Sequence, residues 1–413
     1  MRSEMLPARV KRQRGLRATG PFLALLMVML LAGCASITRM PAPPPEATEG
    51  LSVLGIPNAR FWIDGSPDPI LREGRAMVAR EAATLPPGAA RPPTTFLAIS
   101  GGADNGAFGA GLINGWTAAG NRPSFTVVTG ISAGALIAPF AFLGPDYDAQ
   151  LREVFTQVVP RDILLLPRQV FAVIPLLFGE ALADTSPLAR LIGRYTDQAM
   201  LDAIAREYRR GRLLLVGTVN LDLQRPVVWN IGAIAASGHP DALTLFRSIL
   251  LASSSIPGAF PPVLVPVEYG GRSYEEMHVD GGAAMQVFLY PPSVNLSERG
   301  SRRERTAYVI RNGRVDVDGG VTPRGLFSIA RRSAATLLHF SGISDINRIY
   351  LTTLRDGVDF RLAFIGSDFR AERREPFDPP FMQALFDYGY AQAHQPWHTV
   401  PPGVSTTVVP PAR

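Results

Sequence analysis

The sequence predicts an α/β fold, a three-layer α/β/α sandwich whose central sheet is largely parallel. The first observation is that short apolar runs alternate with segments of helical spacing from residue 94 onward. The second is that two of these runs, at 94–99 and 124–129, pass through glycine-rich turns directly into helical segments. Hydrophobic residues make up 46% of the 413 residues and charged residues 18%, which suffices for a full core in one large or two ordinary domains.

The predicted elements alternate along the chain, and no internal repeat is visible. The predicted strands span 94–99, 124–129, 212–219, 226–230, 262–267, 276–280, 306–311 and 359–365. The predicted helices span about 68–84, 106–119, 133–142, 148–156, 197–209, 241–253, 324–340 and 378–393. This order favours a parallel sheet between two helical layers.

The N-terminus has the features of an export signal. A basic region precedes the apolar run 21–31, which has about the length of a signal-peptide core and is short for a bilayer span. The run leads into Leu-Ala-Gly-Cys34, which resembles the lipobox of bacterial lipoproteins, where the cysteine is lipidated and becomes the first mature residue. Cys34 is the only cysteine and therefore has no disulfide partner. The alternatives are an uncleaved anchor or an ordinary signal peptide with an incidental cysteine.

The resemblance to lipoproteins implies a lipid-anchored location in a bacterial cell envelope. Ala35 stands where an aspartate favours retention in the inner membrane, so the expected location is the outer membrane facing the periplasm. The net charge of +6 is concentrated in the same region, because residues 1–33 carry six Lys or Arg and one Glu. The rest of the chain is close to neutral, which argues against a nucleic-acid partner. Lys11 is the only lysine, so the mature protein has no Ser–Lys pair.

A candidate nucleophile follows the second apolar run. The run 124–129 predicts a strand, and Gly130-Ile-Ser132-Ala-Gly134 predicts a sharp turn into a helix with Ser132 at its apex. Such a turn exposes a serine hydroxyl at the carboxyl edge of a sheet, beside the amides that open the helix. Taken alone, G-x-S-x-G is equally compatible with an ordinary glycine-rich connection.

A second glycine-rich turn, Gly101-Gly-Ala-Asp104-Asn-Gly106, follows the first predicted strand. Unpaired amides at such a turn can hold a phosphate or the oxyanion of an acyl-transfer intermediate. The turn is neither G-x-G-x-x-G nor a P-loop, since no lysine follows it. Together with Ser132 it favours acyl transfer.

The base for a serine nucleophile is less obvious from spacing. The chain has only five histidines, at 239, 278, 339, 394 and 398, and each is more typical of a structural or surface position. His394 or His398 would fit the order of an α/β-hydrolase triad. Asp280 is the better candidate, because it ends an apolar strand and Gly281-Gly282 allows a tight turn. Asp318 lies in a second Val-Asp-Gly-Gly, within a polar loop.

Four motifs in this order resemble the patatin-like phospholipase family. They are the glycine-rich loop at 101–102, the G-x-S-x-G serine, the stretch 253–262 ending in Phe-Pro-Pro, and the D-G-G aspartate. The resemblance covers roughly residues 94–290. It implies a Ser–Asp dyad without histidine, with Ser132 as nucleophile and Asp280 as base. It also implies an oxyanion hole at Gly101, Gly102, Ala103 and Asp104, the last three donating their amides.

Two departures from the family pattern affect this loop and the segment after Asp280. The family's G-G-G-x-[RK]-G reads Gly-Gly-Ala103-Asp-Asn105-Gly in this chain. Ala103 therefore adds a methyl group where unusual backbone angles are needed, and Asn105 removes a cation. Ala283 to Phe288 replaces the usual asparagine–proline pattern. The backbone donors survive both changes.

The expected function is a membrane-anchored lipid acyl hydrolase of phospholipase A or lysophospholipase type, acting on a phospholipid or other lipid ester through an acyl-serine. Alternatives are a general carboxylesterase, or a non-catalytic envelope lipoprotein that binds acyl chains or a partner. No metal site is expected, since there is no HExxH, cysteine pair or run of acidic ligands. No cofactor is expected either.

The chain is accordingly divided into a leader and a single large domain. The predicted divisions are a lipoprotein signal peptide at 1–33, a proline-rich tether at 34–50, an N-terminal extension at 51–93, an acyl hydrolase domain at 94–400 and a flexible tail at 401–413. The very apolar segment 162–182 is interrupted by prolines and does not predict a spanning helix. It predicts either a buried helix pair or an apolar flap over the site.

Overall fold

The computed structural model describes residues 39–48, 50–163, 184–297, 303–316 and 319–404. Cys34, most of the apolar segment 162–182, Asp318 and residues 405–413 lie outside these ranges. Among the helices of the described ranges, none combines the length and apolarity needed to cross a bilayer.

The described ranges form one nine-stranded sheet with helices on both faces. The strands are β1 (Arg60–Trp62), β2 (Thr94–Ile99), β3 (Val127–Ile131), β4 (Leu213–Asn220), β5 (Arg225–Asn230), β6 (Val263–Tyr269), β7 (Arg272–Asp280), β8 (Arg305–Arg311) and β9 (Asp359–Phe364). The helices are α1 (Asp68–Ala83), α2 (Gly106–Ala118), α3 (Ala133–Leu143), α4 (Asp148–Thr156), α5 (Pro160–Ile163), α6 (Ser186–Tyr195), α7 (Gln198–Arg209), α8 (Ile231–Ala236), α9 (Ala242–Ser253), α10 (Leu326–Asp356) and α11 (Pro379–Gln392).

The centre of the sheet is parallel and one side is antiparallel. The strand order is β1-β5-β4-β3-β2-β8-β9, and every neighbouring pair from β4 to β9 is parallel. The pairs β1–β5 and β4–β5 are antiparallel, and the β6–β7 hairpin joins β4 through an antiparallel pairing of β7. The predicted three-layer α/β/α class with a largely parallel sheet is confirmed.

The two faces of the sheet bury alternate residues of each strand. On one face Leu97 and Ile99 of β2 belong to the core formed with α2, α3 and α9. On the other, Phe96 and Ala98 pack with the C-terminal half of α10 and with α1. This arrangement explains why the central strands are almost continuously apolar, since each is covered on both sides.

The fold differs from the predicted elements in several places. The strand β1 and the helices α5 and α8 were not predicted, because they are too short to show a clear period. The helix α6 was missed although Leu188, Leu191 and Ile192 recur at helical spacing. The helix predicted at 324–340 continues to Asp356. It crosses Gly342, where an added Cβ would lie 2.6 Å from the Arg311 guanidinium carbon and would displace that side chain.

The N-terminal residues pack on the domain as far as the structure describes them. In the segment predicted as a tether, the Met40 amide donates to the Glu275 carboxylate at 2.9 Å, and the Glu275 amide donates to the Pro41 carbonyl at 3.2 Å. Ala47 is fully buried. The segment predicted as an extension contributes β1 to the sheet, so residues 39–93 and the later part of the chain form one folded unit.

Candidate active site

The strands β3 and β7 pair with consecutive parts of β4, and the candidate site lies where their ends meet. The parallel strand β3 ends with Ile131 opposite Gly217, and the antiparallel strand β7 ends with Asp280 opposite Thr218. Because Gly217 and Thr218 are consecutive, the residues that follow β3 and end β7 come together. The structure therefore brings Ser132 next to Asp280, as the motif order predicts.

Ser132 occupies a strained turn between β3 and α3. Its backbone has φ 55° and ψ −124°, in the region that non-glycine residues rarely adopt. The turn is tight because a Cβ at Gly130 would lie 2.4 Å from the Gly134 carbonyl oxygen, and one at Gly134 would lie 2.2 Å from that of Ile99. The two glycines of G-x-S-x-G thus permit the close approach of strand and helix.

Ser253 holds this turn in place. Its hydroxyl accepts a hydrogen bond from the Ser132 amide at 3.0 Å and donates one to the Gly217 carbonyl at 2.7 Å. Nearby, the Asp280 amide donates to the Ser255 carbonyl at 2.9 Å. The sequence analysis identified this stretch only as a family motif and did not predict these contacts, because its partners are distant in sequence.

Asp280 is buried beside the serine. Its carboxylate accepts a hydrogen bond from the Gly282 amide at 2.7 Å. Burial raises the pKa of Asp280 to about 6, and the neighbouring Ser132 hydroxyl and Gly282 amide limit the rise. A carboxylate of this basicity, beside a hydroxyl and with no cation bonded to it among the described residues, is suited to accept a proton near neutral pH.

The glycine-rich loop lies on the other side of Ser132. A Cβ at Gly101 would lie 3.2 Å from the Ser132 Cβ, and Ala103 lines the same cavity as Ser132. The Gly101 amide donates to the Gln286 carbonyl at 3.0 Å and is therefore not a free donor, which leaves the three amides after it, those expected to donate. The amides of Gly102, Ala103 and Asp104 have no hydrogen-bond acceptor among the described residues.

The methyl group of Ala103 sits on a backbone that is indeed unusual. Its φ is +49°, in the left-handed region that favours glycine, and Gly102 before it has φ 163°. A short 3₁₀ turn, Ala103–Asn105, then leads into α2. The loop therefore keeps its conformation despite the departure from the family pattern, and its unpaired amides lie at the start of a helix.

Two side chains that sequence reasoning missed anchor the loop. The side chain of the buried Asn312, directly after β8, accepts a hydrogen bond from the Gly109 amide at 3.0 Å and donates one from Nδ2 to the Ser100 carbonyl at 2.8 Å. The Asp104 carboxylate is bound by Arg373 at 2.9 Å and by the Phe377 amide at 3.1 Å. The Arg373 guanidinium therefore lies at the loop, although Asn105, which stands at the family's basic position, is uncharged.

An apolar cavity of about 50 Å³ opens beside the serine. It is lined by residues of the loop, of α3 to α6 and of the segment after α9: Ala103, Ser132, Ala133, Leu136, Val154, Phe155, Val158, Ile163, Leu188, Leu191, Ser254, Ile256, Phe260, Phe377 and Met382. The buried Ser254 hydroxyl has no partner among the described residues. Ile163 and Leu188, which line this cavity, stand on either side of residues 164–183 in the sequence.

The histidines take part in other contacts. The His278 ring is fully buried between the Thr218 hydroxyl at 3.0 Å and the Glu276 carboxylate at 3.2 Å, and burial lowers its pKa. His398 stacks on Phe364, and the rings of His394 and Tyr390 are 6.5 Å apart. Within the described ranges, no group of three or more His, Cys, Asp or Glu could hold a metal ion.

Comparisons with known proteins agree with these motifs. The family described as patatin-like phospholipase matches residues 97–291, a range that contains the glycine-rich loop, Ser132 and Asp280. Among solved structures, VipD from Legionella pneumophila is similar at 12% identity and a TM-score of 0.35, over 74% of this chain and 67% of VipD. The human GIVD cytosolic phospholipase A2 is similar at 11% identity and a TM-score of 0.27, over 67% of this chain and 51% of that enzyme. No curated protein gives a significant match. Residues 97–291 of this chain therefore form a domain of the patatin-like phospholipase family.

Proposed function

We propose that this protein is a lipid acyl hydrolase of phospholipase A or lysophospholipase type, with Ser132 as nucleophile and Asp280 as base. The observation that carries the proposal is the position of Ser132 beside the buried Asp280 carboxylate, where β3 and β7 meet on β4, next to a loop with unpaired amides. The family match of residues 97–291 supports a lipid ester as substrate.

The first step is acylation of the serine. Asp280 takes the Ser132 proton as the hydroxyl oxygen attacks the ester carbonyl, forming a tetrahedral oxyanion. The oxyanion accepts hydrogen bonds from the amides of Gly102 and Ala103, while the Asp104 amide extends the same row of donors. The carbon–oxygen bond of the ester then breaks, and the alcohol leaves with the proton held by Asp280.

The second step is hydrolysis of the acyl-serine. Asp280, again ionised, takes a proton from water as the water oxygen attacks the acyl carbonyl. The same amides stabilise the second oxyanion, and the Ser132 oxygen leaves with the proton from Asp280. The raised pKa of Asp280, about 6, suits a group that accepts and returns a proton at each step.

The apolar cavity beside Ser132 is the proposed site of the acyl chain. Its aliphatic and aromatic lining excludes water from the reacting atoms and offers no charge to a polar head group. Lipidation of Cys34 would hold the enzyme at a membrane face, and we place it in the bacterial envelope, at the outer membrane facing the periplasm. Its substrates would then be the lipids of that membrane.

The small volume of the cavity, about 50 Å³, favours a second candidate function. A general carboxylesterase that cleaves short, soluble esters needs less apolar space than a phospholipase. Nitrophenyl esters of increasing acyl length separate the two functions. Preference for long chains supports the phospholipase, and a maximum at two to four carbons supports the esterase.

The decisive experiment combines active-site labelling with product analysis. The purified protein is treated with a fluorophosphonate probe and, separately, incubated with mixed phospholipids whose released products are identified. We expect labelling and fatty-acid release by the parent protein, and neither by Ser132→Ala. The matched control is Ser237→Ala, a serine at the end of α8. Labelling that persists in Ser132→Ala contradicts the proposal, and a folded protein that neither labels nor hydrolyses any ester indicates a non-catalytic binding protein.

A further inference from the structure

The N-terminal half of α10 extends beyond the domain. Its buried residues begin only at Gly342, so Leu326 to Ser341 form a helical segment without a covering partner in the described part of the chain. At 1.5 Å per residue, this segment is roughly 24 Å long. Because α10 runs from the carboxyl end of β8 to the amino end of β9, the segment projects at the sheet edge where Ser132 lies.

The side chains of this projecting segment are unusually apolar for an exposed helix. Leu326 is 79% exposed, Phe327 73%, Leu337 73% and Phe340 59%. Isolated exposed apolar residues are ordinary, but a contiguous patch of large ones marks an interaction surface. Val321, just before the helix, is 99% exposed and extends the patch.

These residues share one side of the helix. At about 100° per residue, they cover an arc of roughly 180°: Leu326, Phe327, Ile329, Leu337, Leu338 and Phe340. The opposite side carries Ser328, Arg331, Arg332, Thr336 and His339. The segment is therefore amphipathic, with its apolar side in solvent.

The stripe continues along the outer side of the helix. In the C-terminal half, Leu351 and Leu354 are exposed on the side that continues Leu337 and Phe340. Ile349 and Thr353, on the inner side, are buried against the domain. The exposed stripe thus faces away from the domain and runs the length of α10, which allows a flat surface to contact it.

The charge of the segment is of one sign. From Gly319 to Ser344 the sequence has Arg324, Arg331 and Arg332 and no acidic residue. Basic residues on the polar side and Phe and Leu on the other are the composition of helices that lie in the plane of a membrane interface. The arginines are complementary to anionic head groups.

We propose that the outer stripe of α10, defined by Leu326, Ile329, Leu337, Phe340, Leu351 and Leu354, docks on an anionic lipid surface. The helix lies in the interface plane, with its apolar side among the acyl chains and its arginines at the head groups. This contact presents the edge that carries Ser132 to the membrane. It is independent of catalysis and adds a second attachment to any acyl anchor.

A second copy of the chain is the competing occupant, since an exposed apolar stripe can also pack against the same stripe of another copy. Two features favour the lipid surface. The apolar arc of the projecting segment is much wider than the narrow seam of a two-stranded coiled coil. Arg324 and Arg331 are basic and residues 319–344 contain no acidic residue, so paired copies would repel each other there.

Site-specific fluorescence tests the contact directly. The only native cysteine is replaced (Cys34→Ser), which also prevents acylation, and Ser132→Ala keeps the vesicles intact. An environment-sensitive dye is attached to Leu337→Cys on the apolar side or to Ala335→Cys on the polar side of the full chain. The probes are vesicles of phosphatidylglycerol and phosphatidylethanolamine, with phosphatidylcholine vesicles for comparison.

We expect the dye at 337 to brighten several-fold with phosphatidylglycerol vesicles and to be quenched by spin-labelled acyl chains, with a much smaller response at 335. Unchanged emission at both positions overturns the proposal. Equal responses to neutral vesicles overturn the preference for anionic lipid. If the dye at 337 brightens without vesicles and the protein has twice its monomer mass in ultracentrifugation, the stripe binds a second copy of the chain and the lipid proposal is overturned.

Two substitutions measure the two contributions separately by vesicle flotation. Leu337→Ser with Phe340→Ser removes apolar contact and should weaken binding by at least about ten-fold. Arg331→Gln should weaken binding to anionic vesicles about five-fold and leave neutral ones unaffected. Leu221→Ser, at an exposed apolar residue outside the helix, is the matched control. The role of the stripe is contradicted if Leu221→Ser loses vesicle binding or if the double variant binds vesicles as well as the parent does. The two proposals can fail separately: if Ser132→Ala loses hydrolysis while the dye at 337 still contacts the vesicles, docking does not depend on catalysis.

Discussion

Glu276 and Asp280 lie on the same strand and are both buried, yet their pKa values move in opposite directions. Burial alone would raise the pKa of Glu276, but the hydrogen bond with His278 and the ion pair with Arg60 lower it to about 2. Burial raises the pKa of Asp280 to about 6, because the groups beside it in the described part of the chain, a hydroxyl and an amide, are neutral. The difference between the structural and the reactive carboxylate in β7 is therefore the His278 hydrogen bond and the Arg60 cation at Glu276.

The largest expected effect tests the reactive end of the strand. Asp280→Asn removes the proton acceptor while keeping the shape of the side chain, so ester hydrolysis should fall by about three orders of magnitude or more. Steady-state assays with a nitrophenyl ester measure it. Asp318→Asn, in the second Val-Asp-Gly-Gly, is the matched control and should change the rate by less than about two-fold. The reverse order would show that the wrong aspartate was assigned.

The structural end of the strand is tested by Arg60→Ala. The Arg60 side chain is 7% exposed and that of Glu276 is fully buried, so the variant leaves a buried carboxylate without its cation. The free energy of unfolding at pH 7 should fall by roughly 3 kcal/mol in urea denaturation. Arg225→Ala removes a more exposed pair with Asp64 and should lower it by less than about 1 kcal/mol.

The pH dependence of this effect has a definite sign. The folded pKa of Glu276 lies below its unfolded value, so its contribution to stability is present above about pH 4.5 and is lost as the pH falls toward 2. The difference between Arg60→Ala and the parent should therefore shrink with acidification. A constant difference from pH 7 to pH 4 would contradict the role of the charge.

For Asp280, stability changes with pH in the opposite direction. Its folded pKa lies above its unfolded value, so the native state gains stability below about pH 4 that it loses as the pH rises through 6. Asp280→Asn should therefore raise the free energy of unfolding at pH 7.5 by roughly 2 kcal/mol and leave it unchanged at pH 4. Thermal denaturation at the two pH values measures this. A variant that is less stable than the parent at pH 7.5 argues against a desolvated carboxylate.

The smallest effect concerns the rate near neutrality. Because the base must be ionised, the rate constant for acylation should be constant above about pH 6.5 and fall about ten-fold per unit well below pH 6. Single-turnover assays across pH 4.5–8 give the profile, with thermal melts to verify folding. A profile that is flat down to pH 5 would indicate that Asp280 has an ordinary pKa or is not the base.

Local patterns in the sequence were sufficient to predict the class of fold, and the order of four motifs, through the family they resemble, indicated the pair of residues that the structure brings together. Ser132 lies in a turn that glycines permit, and Asp280 ends a strand before two more glycines. The supporting residues were not predictable. Ser253, Asn312 and Arg373 each bind a group more than a hundred residues away, and nothing in their own neighbourhood indicates the partner.

The length of α10 shows the same limit. Its first half has the period of an amphipathic helix, and the prediction ended before Gly342 because glycine disfavours helix interiors. Packing of Ile346 and Ile349 against β8 and β9 stabilises the second half and overrides that local preference. Tertiary contacts, which no single window contains, decided where the helix ends.

The meeting of β3 and β7 on β4 has a consequence for biosynthesis. The serine and its turn are synthesised long before the carboxylate, and the pairing of β7 with β4 is non-local and therefore slow to form. On the proposed mechanism, a nascent or partly folded chain carries the hydroxyl without its proton acceptor. Hydrolysis then starts only when the sheet is complete, so the mechanism leaves lipids intact while the chain is being made.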